Sequence, residues 1–146
     1  YDDLTAFKIY MSDVGLLRKH SHLATSAFAE NNRLFTEFKG ALTENFVLQS
    51  LSRQFETAPR YWTETPYEVD FVVQLDNDII PVECKAGTNV RATSLKKYSQ
   101  QYQEQTPVMV RFSLMNLSFD GKVLNIPLFL ADRTVDLVRL VLNRNP

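Results

Sequence analysis

Cysteine is nearly missing from this chain: Cys84 is the only one in 146 residues, which excludes an internal disulfide framework and fits a reducing, cytoplasmic setting. Glycine is scarce too. Gly15, Gly40, Gly87 and Gly121 are scattered, and no G-x-x-x-x-G-K segment occurs, so any ATP chemistry lies outside this chain. No run of about 18 apolar residues reads as a membrane span. No basic-then-apolar leader opens the sequence, and no G-x-S-x-G elbow offers a nucleophile. The two histidines, His20 and His22, flank Ser21 without cysteine or acidic partners at metal-ligand spacing, and read as a loop pair. An excess of either charge is also lacking. With 16 Lys and Arg against 17 Asp and Glu, the formal net charge is -1, which gives no general field for phosphate of the kind autonomous DNA binders carry. Any basic surface must be local, or supplied by partner domains.

What is present suits one folded domain over residues 1–146, with 45% hydrophobic and 23% charged residues. The most informative segment is Glu68-Val69-Asp70-Phe71-Val72-Val73, a polar turn, and then Ile79-Ile80-Pro81-Val82-Glu83-Cys84-Lys85. It predicts a β-hairpin that would be ordinary core but for two acids and a lysine. With Asp76-Asn77 as the turn, Leu75 pairs with Asp78, and the register sets Asp70 opposite Glu83 and Glu68 opposite Lys85. Facing Cβ atoms roughly 4.5–5.5 Å apart would let two carboxylates share one divalent cation. A Glu68–Lys85 ion pair on a solvated face is the plainer alternative. Cys84, on the opposite face of the strand, reads as a small core residue rather than a nucleophile.

A third acid lies far away in sequence. From Thr36 to Phe55 apolar residues recur at helical spacing, and Ala41, Val47, Leu48, Leu51 and Phe55 form a broad stripe. Lys39, Thr43, Ser50 and Gln54 form a narrow polar strip on another side. Glu44 falls inside the apolar stripe, where an ionised carboxylate must be neutralised, paired or pointed into a cation-containing cleft. Lys39 and Arg53 lie off the stripe, which favours the cleft.

A buried helical Glu, an Asp on one strand and Glu-x-Lys on the next resembles the PD-(D/E)XK nuclease superfamily, at Glu44, Asp70, Glu83 and Lys85. A longer succession runs from Phe7–Leu17 through Phe38–Val47, Glu68–Phe71 and Pro81–Gly87 to Leu124–Leu128. It is similar to the C-terminal domain of a large prokaryotic family of predicted AAA+ ATPases. The resemblance implies an α/β, restriction-endonuclease-like sandwich, with a mixed central sheet flanked by helices. It also implies that this chain, which begins at Tyr1, is the C-terminal part of a longer ATP-binding protein, whose ATPase module would be its partner and would hold the ATP. Asp70, Glu83, the Cys84 backbone carbonyl and Glu44 would then ligate Mg²⁺ or Mn²⁺, with Lys85 stabilising charge at a scissile phosphate. Arg91, Lys96 and Lys97, beside Tyr98 and Tyr102, offer contacts to a DNA backbone; a solvated helix face explains them equally well.

The remaining elements read coarsely. Phe7–Met11 alternates like a strand, Ser12 or Asp13 caps a short helix through Leu17, and His20–Asn32 reads as a polar loop or loose helix. Thr93–Gln105 is a helix, Pro107–Phe112 a strand, Asp120-Gly121 a turn, and Asp132–Asn143 a terminal helix. Three functions fit this reading: a metal-dependent DNA phosphodiesterase, a nuclease-fold module that binds nucleic acid or a partner without cutting, and a regulatory or assembly domain of an AAA+ ATPase. In the last, the apolar helix from Phe35 to Phe55 and the terminal helix would supply contact surfaces. A homo-oligomer is compatible with all three, and no membrane partner is expected.

Overall fold

The computed structural model describes residues 7–21, 33–87 and 91–143. Helix α1 (Val14–His20) starts where the Asp13 carboxylate accepts the Leu16 N–H at 2.9 Å, and carries Arg18, Lys19 and His20 in its last turn. A cap acid at the N-terminus and cations at the C-terminus both complement the helix dipole. Of the loop expected at His20–Asn32, His20 closes α1; residues 22–32, with His22, lie outside the described residues.

The segment Phe7–Met11 is not a strand. At its end, amide side chains of helix α2 (Arg33–Gln54) take the backbone groups of Met11 and of Ser12 and Val14 after it. Asn45 bonds both the N–H and the C=O of Met11, at 2.8 and 3.1 Å, and Gln49 bonds Val14 N–H and Ser12 C=O at 3.0 and 2.8 Å. The alternation is real but inverted. Phe7 and Ile9 face solvent, while Lys8 and Tyr10 turn toward the protein.

Six strands form one sheet in the order β1-β2-β3-β4-β6-β5. They are β1 (Arg60–Glu64), β2 (Tyr67–Leu75), β3 (Asp78–Cys84), β4 (Met109–Ser113), β5 (Ser118–Asp120) and β6 (Val123–Pro127). The β3–β4 and β4–β6 pairs are parallel and the others antiparallel, so the sheet is mixed. Helix α3 (Thr93–Gln101) makes the crossover from β3 to β4. After β6 a 3-10 helix (Leu128–Arg133) leads into helix α4 (Thr134–Leu142). Two turns take the left-handed conformation that Gly and Asp tolerate best: Asp76 at φ 54° between β2 and β3, and Gly121 at φ 58° between β5 and β6.

Pro81 is unusual in an inner strand, since it cannot donate to a ladder. Ile79 and Lys85 N–H both bond toward the β4 side, to Gln105 C=O and Phe112 C=O. By alternation Pro81 faces that side too, but β4 begins to pair only from Val82↔Val110. The missing donor therefore falls where no partner strand has yet arrived.

Two apolar clusters cover the two sheet faces. On one, Val47 and Leu51 of α2 and Phe55 just after it pack with Phe71, Val73, Ile80, Val82, Val110, Phe112, Ile126 and Val138. On the other, Leu95 and Tyr98 of α3 pack with Val69 and Met109. Each fully buried aliphatic or aromatic side chain contributes roughly 1.5–3 kcal/mol to burying these faces. The polar strip of α2 is not solvated as its composition suggests: Thr43 and Ser50 are buried and Gln54 partly so. The 3-10 helix and α4 cover that side, and Gln54 satisfies them by donating to Ala131 C=O at 2.8 Å and accepting the Val135 N–H at 3.2 Å. Ala41, at the stripe's edge, is exposed instead.

The Gln54 clamp yields a stability test. Gln54→Ala leaves the Val135 N–H without its partner and takes one donor from the Ala131 carbonyl, which keeps the Thr134 hydroxyl at 2.7 Å, and is expected to cost about 1–3 kcal/mol in urea unfolding. Arg53→Ala, exposed one residue away, is expected to stay within about 0.5 kcal/mol of wild type.

Candidate functional site

The β2–β3 ladder has the register that the turn dictates, Leu75↔Asp78 through Phe71↔Val82. It stops one pair short of Asp70 and Glu83. The cause is a bulge in β2: Trp62 of β1 pairs with Val69 but Arg60 pairs with Val72, which leaves one extra residue on β2. Val69 and Val72 both pack on the α3 face, while Phe71 packs under α2. Strict alternation would forbid this. Asp70, inside the bulge, turns its carboxylate across to β3, where Oδ2 accepts the Cys84 N–H at 2.7 Å.

Glu83 and Lys85 remain on the α3 face, since Val82 and Cys84 pack with the α2-side core. Lys85 Nζ lies 2.9 Å from Glu83 Oε1. Glu83 is 4% exposed, and its other oxygen, Oε2, is buried without a hydrogen-bond partner. A buried carboxylate oxygen left unbonded is costly, and such oxygens cluster where ions, waters or substrates are received. The Glu68–Lys85 pair does not form, because Lys8 takes Glu68 in close contact.

Glu44 lies partly exposed at the α2 side of the same strand ends. Its Oε2 accepts the Tyr10 hydroxyl at 3.3 Å and lies 3.8 Å from Lys8 Nζ. It is paired, as a stripe carboxylate must be, but by a lysine on the N-terminal segment instead of by Lys39 or Arg53. Burial pulls the Lys8 ammonium down; the bond to Glu68 and the charges of Glu44, Glu68 and Asp70 outweigh this and hold it above its ordinary value. Burial and the Glu44 charge push the Tyr10 hydroxyl well up, so it stays a donor. Lys85 is likewise drawn down by burial but held high by Glu83 and Asp70. It remains a cation that feels both acids. Burial pushes Asp70 up to about 6, helped by Glu44 and opposed by the Cys84 N–H, Lys8 and Lys85. The Cys84 thiol is driven well up by burial and by the charges of Asp70, Glu44 and Glu83, which keeps it inert.

The electrostatic links thus join Glu44 to Asp70 and Asp70 to Lys85, and a salt bridge joins Lys85 to Glu83. Among the described residues, no group of three or more His, Cys, Asp or Glu side chains is arranged to hold a metal ion.

A family model described as "Domain of unknown function (DUF4143)" matches residues 39–129, more than half of the chain. The chain belongs to this family. No curated protein and no solved structure matches it. The DUF4143 segment contains Glu44, Asp70, Glu83 and Lys85, whereas Lys8 and Tyr10 precede it. The α/β fold expected from sequence is present as a six-stranded mixed sheet flanked by helices. No helix among the described residues is long and apolar enough to cross a membrane.

Of the residues expected to meet nucleic acid, Arg91 and Lys96 are exposed and Lys97 pairs with Glu64 at 3.1 Å. Tyr98 does not join them. It is buried edge-on against Trp62 at 5.3 Å and beside Tyr102 at 4.7 Å, because it shares with Leu95 the α3 face that packs on the sheet. Sequence reading also passed over Asn125, which is 1% exposed and ties the β4 end to its loop. It accepts from Arg111 Nε at 3.1 Å and Ser113 Oγ at 2.7 Å, and donates to Asn116 C=O at 2.8 Å. A lone amide inside the apolar run Leu124–Pro127 was the available sign.

The raised Asp70 carboxyl sets a pH dependence. Between the ordinary 3.8 and about 6 the native state binds more protons than the unfolded state, so Asp70 makes stability fall as pH rises through that window and level off above it. In the presence of a chelator, Asp70→Asn, whose side-chain oxygen can still accept the Cys84 N–H, is expected to exceed wild type by on the order of 2–3 kcal/mol at pH 8 and to converge with it near pH 4. Urea titrations across pH check this; a variant no more stable than wild type at pH 8 would contradict it.

Proposed function

We propose that this DUF4143 domain is a metal-dependent nuclease module hydrolysing DNA phosphodiesters, with Asp70, Glu83, Lys85 and Glu44 as its working residues. The observation that carries the reading is Glu83: a buried carboxylate with one oxygen on Lys85 and the other unpartnered. An orphaned carboxylate oxygen, a second acid poised near neutrality at Asp70, and hard oxygen donors throughout fit Mg²⁺ or Mn²⁺. Glu83, Asp70 and the Cys84 carbonyl would hold the ion, and Glu44 would act on it through water, since no three acids among the described residues stand together as direct ligands. When bound, the ion would supply Lewis-acid polarisation of the scissile phosphate. Lys85, kept charged by its acids, stabilises negative charge developing on the phosphate oxygens. Asp70 is anchored on the Cys84 N–H, which fixes one oxygen and leaves the other for a ligand. Tyr10 and Lys8 hold Glu44 in place from the N-terminal segment. The ATPase module implied by the resemblance would supply the general substrate affinity that a net charge of -1 does not.

A second reading, an assembly or regulatory module of an ATPase that does not cut, is favoured by exposed apolar side chains. Leu114, Met115, Leu117 and Phe119 are 41–53% exposed around edge strand β5, Phe129 is 81% exposed, and Leu140 on α4 is 50% exposed.

One set of measurements separates the two: calorimetric titration with Mg²⁺ and Mn²⁺, paired with cleavage assays on duplex, single-stranded and branched DNA. Under the nuclease reading Asp70→Ala and Glu83→Gln abolish ion binding, and Lys85→Ala retains it while lowering cleavage by roughly 10²–10³-fold. Absence of ion binding at millimolar concentration together with absence of cleavage would transfer the assignment to the assembly module.

A further inference from the structure

The sheet face that carries Glu83 continues into a groove of about 800 Å³ between α3 and the β5–β6 hairpin. Its walls bring together cations from three separate stretches of chain: Arg91, Lys96 and Lys97 at α3, Arg111 on β4, and Lys122 after the β-turn. Asp120 is the single acid in the lining. In a chain whose formal net charge is -1, five cations around one concavity are a marked local excess. Compensation is partial. Lys97 meets Glu64, Lys122 Nζ reaches the Thr106 carbonyl at 3.4 Å, and Arg111 donates to Asn125. Arg91 and Lys96 make no ion pair among the described residues.

The shape restricts what an anionic ligand can be. A duplex offers a broad convex cylinder, whereas this volume falls in the range of sites that enclose small molecules, about 300–1,000 Å³. A single strand can lay its phosphates along such a groove and turn its bases onto an aromatic wall. Tyr67 provides that wall, with Lys97 Nζ 6.0 Å from its ring centroid. The groove also points somewhere. Arg111 is the cross-strand register partner of Glu83, and both sit on the α3 face, so the cationic lining adjoins the orphaned carboxylate.

We propose that the α3–β6 groove is a single-stranded nucleic-acid track, with Arg91, Lys96, Lys97, Arg111 and Lys122 on the phosphates and Tyr67 beneath a base. Its role in feeding a phosphodiester to Glu83 and Lys85 rests on the nuclease reading; the binding does not. The test is fluorescence anisotropy of a labelled oligothymidylate of about a dozen nucleotides, in EDTA, across a salt series. Wild type is expected to bind, with the duplex of equal length competing at least tenfold less well. Arg91→Ala/Lys96→Ala is expected to weaken binding at least tenfold and to flatten the log–log salt slope by about 0.7 for each phosphate no longer neutralised. Tyr67→Ala is expected to weaken binding with the salt slope unchanged. Both variants alter groove-wall residues outside the buried core, and matching thermal unfolding to wild type confirms their folding. If Tyr67→Ala does not fold, Tyr67→Leu, which keeps the bulk and removes the ring face, replaces it. Equal affinity of wild type and the double variant, equal competition by duplex, or no binding at low salt would each overturn the track. Binding abolished in the double variant without cleavage by any protein would retain the track and remove the nuclease. Cleavage undiminished in the double variant would retain the nuclease and remove the track.

Discussion

The bond from the Cys84 N–H to Asp70 at 2.7 Å is the contact on which the site depends. The bulge in β2 ends the ladder at Phe71↔Val82, and without that side-chain acceptor the Cys84 N–H would lose its β2 partner. A carboxylate placed there replaces the missing backbone acceptor. It also holds the hairpin together at the point where its strands part. Everything charged around β3's end is arranged about this closure: Glu44 and Lys8 from one side, Glu83 and Lys85 from the other.

The sheet separates charge by face. On the α2 side, Glu44, Glu68 and Asp70 gather around Lys8, which serves as a tethered counter-ion and lies over the Tyr61 ring at 5.8 Å. On the α3 side, Glu83 has Lys85 within reach and Arg111 as its neighbour across the sheet, and the cationic groove follows. A near-neutral total thus conceals two fields of opposite sign. Net charge describes long-range attraction to a polyanion; it does not describe what one groove presents at contact distance.

Local stability is given up where this chemistry gathers. Asp70 is held in surroundings that disfavour its charge, and Glu83 keeps an oxygen unbonded in a site only 4% exposed. Core packing offsets both through Val82 and Phe112, which are fully buried beside them. Such strain is expected at sites shaped for a ligand, where the groups that receive it cannot also satisfy one another.

Local chemistry in the sequence determined the hairpin register from Leu75↔Asp78 to Phe71↔Val82, because Asp76-Asn77 sets the turn and the apolar alternation holds that far. It also determined the Asp13 cap, the α2 stripe that buries Val47, Leu51 and Phe55, and the grouping of Glu83 with Lys85. These are interactions among residues near in sequence, so spacing alone carries them. Other features required the tertiary structure. Phe7–Met11 has a strand's alternation, but Asn45 and Gln49 bind the stretch from Met11 to Val14 to α2, and residues some thirty positions apart leave no periodic trace. Thr43, Ser50 and Gln54 look solvent-facing until the 3-10 helix and α4 cover them. The bulge that redirects Asp70 arises from pairing with β1, and the Lys8 partnership with Glu44 and Glu68 from a chain crossing. The cationic groove collects residues from α3, β4 and a hairpin turn. Each depends on long-range pairing, which one-dimensional spacing does not encode.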